Sequence, residues 1–159
     1  MIKKILSGGQ TGVDQAALLI AQKTGITIGG WCPKGGCDEN GKSILIKYSN
    51  LKETKTANPK ERTKLNIHDS DGTLVIVPNW PLEKIKDGTV LTIDHAKNLN
   101  KPCLIISLND QKEADYLFIK WIEDNNIEIL NIAGPRESNS PGIFKLSCEL
   151  LLSLLGKVR

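Results

Sequence analysis

Residues 2–17 read IKKILSGGQTGVDQAA, an apolar stretch that runs into three glycines, two amides, two hydroxyls and a carboxylate. Ile2, Ile5 and Leu6 are strand material, and a buried strand is expected over residues 2–7. Val13, Ala16, Ala17, Ile20 and Ala21 then recur at i, i+3, i+4, i+7 and i+8, one face of a helix, and Gly25 stops it. A short second strand follows at 26–28. Strand, glycine turn, helix, strand is the opening of a β-α-β unit, and it sets the reading of everything downstream.

Working outward, residues 29–57 are polar and glycine-rich with little periodicity, which marks either a binding loop or a missed element. SILIKYS (43–49) reads as a short edge strand inside it. Asn58 and Pro59 have the character of an N-cap and first helical position, so a helix is expected from there to about Asp69. GTLVIVP (72–78) is β-branched and charge-free, as befits a strand covered on both faces. Gly88-Thr89 precedes a helical stretch through Ala96 and Leu99, and PCLIISL (102–108) is another buried strand. Asn109 or Asp110 should cap a helix whose face is Ala114, Leu117, Phe118, Trp121 and Ile122. IEILNIAG (127–134) is the last strand, and Ser140-Pro141 opens a final helix to about Gly156.

Strands separated by helical patterns pair in parallel through right-handed crossovers. The expected fold class is α/β: one Rossmann-like domain over residues 1–159, a doubly wound, mainly parallel sheet flanked by helices. The final helix is apolar nearly all the way round, which favours an oligomer interface over simple burial.

The chain has 159 residues, 21 basic and 18 acidic, for a net charge of +3. That mild excess suits a small anionic ligand. It does not suit duplex DNA, which calls for a dense basic stripe, so a nucleic-acid partner is not expected. No leader pattern opens the sequence and no apolar run is long enough for a membrane span, which points to the cytoplasm and away from membranes. Cys103 and Cys148 fall in strand and helix patterns. Cys32 and Cys37 are too widely spaced for a zinc half-site and lack a completing pair, so no metal ligands are assigned.

In an open parallel sheet, ligands bind where strand carboxyl ends meet helix N-termini. Ser7-Gly8-Gly9-Gln10-Thr11-Gly12 matches the dinucleotide fingerprint with serine in the first glycine's place. Yet no acidic residue closes the second strand, where Gly29-Gly30-Trp31 stands, and no Walker lysine follows Gly12. Similar junctions recur at Asp71-Gly72-Thr73, Gly88-Thr89 and Gly134-Pro135-Arg136. The first and the last two should converge on one edge of the sheet as a phosphate-binding crevice. Asp14 is placed to orient the glycine loop. Arg136 is the best charge clamp because guanidinium matches an oxyanion in a bidentate way, the competing reading being a surface pair with Glu137. Lys34 offers further charge, and Trp31 and Trp80 offer rings for stacking or for packing.

SGGQTGVDQAAL, GGWCPKG, the run from Arg62 to Val75, GTVLT and its sequel to Pro102, and NIAGPRES with PGIF together resemble the molybdenum carrier family. These are bacterial and algal relatives of the molybdenum-cofactor carrier protein, in the Rossmann-like superfamily of the lonely-guy phosphoribohydrolases and DNA-processing protein A. The resemblance spans nearly the whole chain, in order. It implies a homo-oligomer, a dimer or tetramer, holding the molybdenum cofactor, a phosphorylated pterin dithiolene, in a cleft by the glycine loop. Ser7, Gly8, Gly9, Gln10, Thr11 and Gly12 match the family's loop, and Asp71, Gly72, Thr73, Gly88 and Thr89 match its later ones. With Asp14, Thr92 and Arg136 these make the expected binding set. The metal would arrive inside the cofactor.

The hydrolase branch carries a glutamate three residues after its glycine-threonine pair. Here that position is Thr92, which cannot serve as a general acid or base near neutral pH. His95 and His68 read as surface or packing residues, and no Ser-His-Asp or Cys-His set assembles by spacing. Binding is therefore expected ahead of turnover, with phosphoribohydrolase and nucleotide sensor as the alternatives.

Overall fold

The computed structural model describes residues 1–81 and 88–158. Five strands form one all-parallel sheet: β1 (Lys4–Leu6), β2 (Thr27–Gly29), β5 (Gly72–Val77), β6 (Cys103–Ser107) and β7 (Ile129–Ala133), in the order β2-β1-β7-β5-β6. The last strand in sequence therefore lies between the first and the fifth. β1 leads outward to β2 and β5 leads outward to β6 in the opposite sense, so the sheet changes direction around β7. Crevices open at the carboxyl ends of strands at such a switch.

Helices cover both faces. α1 (Val13–Lys23), α5 (Ala114–Asp124) and α6 (Ile143–Gly156) pack on the side of Ile5, Leu74, Ile76, Leu130 and Ile132. α3 (Pro59–His68) and α4 (Gly88–Asn98) take the other side, where Val75 and Val77 meet Ile93. All six residues of β5 are buried, which is what its charge-free sequence requires. Asn58 caps α3 as expected, accepting a hydrogen bond from Lys60 N at 3.0 Å, with Pro59 in the first turn.

Three expectations are corrected. Residues 43–49 form no edge strand; Ile44–Lys47 is a one-turn helix, α2, capped by the Ser43 hydroxyl. The buried residues there are Ile44 and Tyr48, four apart, while Ile46 is 89% exposed. That is helical spacing, which the alternating isoleucines concealed. α2 lies between two-residue strands β3 (Trp31–Cys32) and β4 (Lys52–Glu53), which pair with each other, so 29–57 was a missed element and not an open loop. α5 starts at Ala114, because Asn109 and Asp110 are used in the turn that leaves β6. Finally, α6 finds cover within the chain. Ile143, Leu150, Leu151, Leu154 and Leu155 are buried and only Leu146 and Leu152 are strongly exposed, so its apolar circumference reflects burial between α1 and α5. No helix of the described residues is long and apolar enough to cross a membrane.

Candidate functional site

Residues 7–12 cross the carboxyl rim between β1 and α1. Ser7 is fully buried, and its hydroxyl donates to the Ile132 carbonyl at 2.8 Å, locking the loop to β7. Gln10 Oε1 accepts from Thr11 N and Glu39 N at 3.0 and 2.8 Å. The Thr11 hydroxyl donates to Glu39 Oε1 and accepts from Glu137 N. Ser138 donates both its amide and its hydroxyl to Glu39. Burial works against the charge of Glu39, but these hydrogen bonds from Ser138 and Thr11, with Arg136 nearby, hold its carboxyl below the usual range. The glycine loop is thereby strapped to the 37–43 and 135–139 segments.

Gly12 has φ 80° and ψ −130°, and an added Cβ would stand 2.9 Å from Arg136 C and Glu137 N, and closer to the Pro135 carbonyl. That carbonyl accepts from Val13 N at 3.3 Å. The N-terminus of α1, expected to face an anion, is thus plugged by backbone. At α6 the Glu137 carboxylate accepts from Gly142 N and Phe144 N at 2.6 and 2.9 Å, which also takes Glu137 away from Arg136.

Beside the loop a narrow crevice runs between β7, α3 and α4. Its centre is an ion pair. Arg62 Nη1 lies 2.7 Å from Asp14 Oδ2, with side chains 14% and 4% exposed. Asp14 also accepts from Gln10 N at 3.3 Å. Burial pushes the Asp14 carboxyl up, against the opposing pull of Arg62, Gln10 and Ser7. Gly8 forms the wall: a Cβ there would collide with the Arg62 guanidinium. Arg62 Nε is buried without a hydrogen-bond partner. Asn66 closes one side by bonding both backbone polar groups of Trp31. Asn131 lies at the floor, donating to Thr73 at 3.3 Å. The Thr92 hydroxyl donates back to the Gly88 carbonyl. Arg136 stands at the mouth, one third exposed, its Nη1 3.8 Å from Glu39.

Of the residues expected from sequence, Gly8, Gln10, Asp14, Gly88, Thr92 and Arg136 line this crevice together. Ser7, Gly9, Thr11 and Gly12 build the loop behind it, and Gly9 packs under Ile44. Thr89 is buried in the first turn of α4. Asp71, Gly72 and Thr73 do not join them. They stand at the amino end of β5, where Asp71 accepts from Glu128 N and Ile129 N, Gly72 makes room for Ile127 and Trp121, and Thr73 supports Asn131. These are turn and packing roles at the opposite rim. Trp31 donates its indole N–H to Asp69, and Trp80 borders a separate groove beside β6 and α5. Lys34 is exposed, and neither it nor His95 lines the crevice.

Sequence reasoning missed Arg62, Thr63, Asn66 and Asn131 as lining residues. A signal was available. α3 has almost no apolar face, yet it must pack on the sheet, so its buried positions Thr63 and Asn66 had to face something polar.

Over residues 5–155 the chain matches the model of the circularly permutated YpsA SLOG family. Among solved structures it is similar to the "Putative molybdenum carrier protein" of Syntrophus aciditrophicus SB, with 42% identity over 97% of this chain and 95% of that one, and a TM-score of 0.89. Comparison with curated proteins finds no match. The α/β Rossmann-like architecture and the motif resemblance are both borne out by these likenesses, and the chain belongs to the circularly permutated YpsA SLOG family.

Proposed function

We propose that this protein carries a small phosphorylated ligand, the molybdenum cofactor or a related pterin or nucleotide, and holds it without transforming it. The observation that supports this reading is the crevice itself. Two arginines, Arg62 and Arg136, meet a glycine-walled backbone at the switch of a parallel sheet. The lining fits such a guest. Arg62 has an unsatisfied buried donor for an oxyanion. Gly8 and Gly88 keep the walls free of side chains, and Asn66 and Asn131 bring amides to the pocket. Gln10 and Thr92 complete the expected contacts. The bound cofactor would bring its own dithiolene-held oxo-molybdenum; among the described residues no group of three or more His, Cys, Asp or Glu is placed to hold a metal.

The one carboxyl among the described lining residues, that of Asp14, is bound to Arg62, so none of the described lining residues offers a guest a free acid or base. That favours custody over hydrolysis. The reading includes a homo-oligomer, for which exposed Trp80, Tyr116 and Leu117 near the edge strand β6 offer apolar surface. The test is mass spectrometry and elemental analysis of protein purified from a host that makes the cofactor. Molybdenum and a phosphorylated pterin retained near one per chain, and shielded from air oxidation, are expected. Protein that retains neither, or that releases adenine from AMP, overturns the reading.

A further inference from the structure

We infer that Arg62 is the side chain that closes on the ligand's oxyanion, and that Asp14 both positions it and takes up a proton as the anion arrives. This rests on the carrier reading of the same crevice. Guanidinium offers five donors in a planar fork. Asp14 occupies Nη1 and leaves the edge formed by Nε and Nη2, the edge that accepts a tetrahedral oxyanion in a bidentate way. Nε is buried with nothing to bond, an expensive condition that an incoming oxygen would relieve. Gly8 leaves the space that lets the guanidinium lie there.

The proton follows from charge. The ionisable groups of the described lining are Asp14, Arg62 and Arg136. Arg136 faces Glu39 across the mouth, and α4 contributes only the uncharged Gly88 and Thr92. On Asp14 itself the other acting groups are the Ser7 hydroxyl and the Gln10 N–H, so among the described residues Arg62 is its one strong counter-charge. With Asp14 ionised, Arg62 is neutralised before a ligand arrives. An anion beside Arg62 then leaves two negative groups sharing one guanidinium in a buried site. Burial already favours the neutral carboxyl, and the anion pushes the same way. One proton passes from solvent to an Asp14 carboxylate oxygen; Arg62 keeps its charge and is balanced by the guest.

Sulfate is a suitable probe, because its own charge does not change over the working range. Calorimetric titration in two buffers of different ionisation heat counts protons directly. The expected result is net uptake on binding, with affinity rising as pH falls, by at most about tenfold per pH unit for one linked proton. Arg62→Gln should lose about tenfold or more in affinity. Asp14→Asn should bind with no proton linkage. Binding by the native protein with no proton uptake and no pH dependence overturns the inference, whatever the variants do. Sulfate affinity that falls with Arg136→Gln but not with Arg62→Gln also overturns it, while leaving the crevice an anion site. Proton-linked sulfate binding in protein that retains no molybdenum supports the Arg62–Asp14 device and sinks the carrier reading alone.

Discussion

Gly8→Ala tests whether the glycine exists to seat Arg62. Its backbone is not left-handed, so the added methyl is the whole perturbation. That Cβ would stand 2.7 Å from Arg62 Cζ and 2.8 Å from Asp14 Oδ2, and closer to Nη1. Ordinary contact between heavy atoms begins near about 3.5 Å. The guanidinium is the far end of a flexible side chain, so it retreats and the 2.7 Å pair opens. Asp14, 3% exposed, is left behind. Removing one partner of a buried pair costs about 3–5 kcal/mol if the remaining group stays charged. Asp14 avoids part of that by taking up a proton. Its folded pKa is then raised further above the unfolded value, so the stability it contributes is present at low pH and lost as pH rises through the folded value. The expected loss is about 3 kcal/mol at about pH 8 and about 1 kcal/mol at about pH 5. Urea unfolding at both pH values reads it, and sulfate calorimetry should show the affinity gone. Gly12→Ala is the control. There the obstruction is backbone, the residue sits at φ 80° and ψ −130°, and strain of about 1–3 kcal/mol plus the clash should appear equally at both pH values. A Gly8→Ala loss that is equally flat with pH, or sulfate affinity that survives it, refutes the argument.

Lys101 extends its ammonium to the carbonyls of Ile67, His68 and Ser70, closing the C-terminus of α3. Lys101→Met should cost about 1–3 kcal/mol in urea unfolding, and a loss near zero would show that water serves those carbonyls as well. Burial pushes the Cys103 thiol up to about 11, so at about pH 8 only about one molecule in a thousand carries its thiolate. Disulfide reagents should therefore label exposed Cys37 well before Cys103; equal rates would contradict the burial. Glu39→Gln should loosen the straps to Thr11 and Ser138, seen as faster amide exchange at Glu137 and Ser138. Because the Glu39 carboxyl is held below its usual range, the native straps should persist until pH falls through that lowered value.

The parallel sheet was legible because each strand is a short apolar run bounded by a turn and followed by helical spacing, as at 72–78 and 102–108. α3 was legible from two residues, Asn58 and Pro59, whose backbone chemistry is specific to a helix start. α2 was not, since Ile44 and Ile46 alternate like a strand and only the burial of Tyr48 reveals the turn. The meeting of Gly8, Gly88 and Arg136 followed from topology alone, because carboxyl ends of parallel strands share a rim. Asp71 and Gly72 carried the same residue types but opened a strand instead of closing one, and a local pattern does not tell those ends apart. Arg62 escaped notice for a different reason. On α3 it looks like a solvated surface residue, and its value comes from Gly8 and Asp14, about fifty residues earlier.

The plugged N-terminus of α1 alters the kind of anion site that the proposed function requires of this crevice. In a dinucleotide-binding turn the helix dipole and free amides supply the positive end, and neither titrates. Here the Pro135 carbonyl takes the Val13 amide, and the turn's chief remaining task is to set Asp14 against Arg62. Positive charge then comes from guanidinium whose net effect depends on the state of one buried carboxyl. A dipole would hold an anion of fixed charge, such as sulfate, equally well at any pH in the neutral range. If the inference holds, a crevice built on Arg62 and Asp14 would grip harder when a proton is available and loosen when it is withdrawn, as suits a protein that must both keep a reactive anion and give it up.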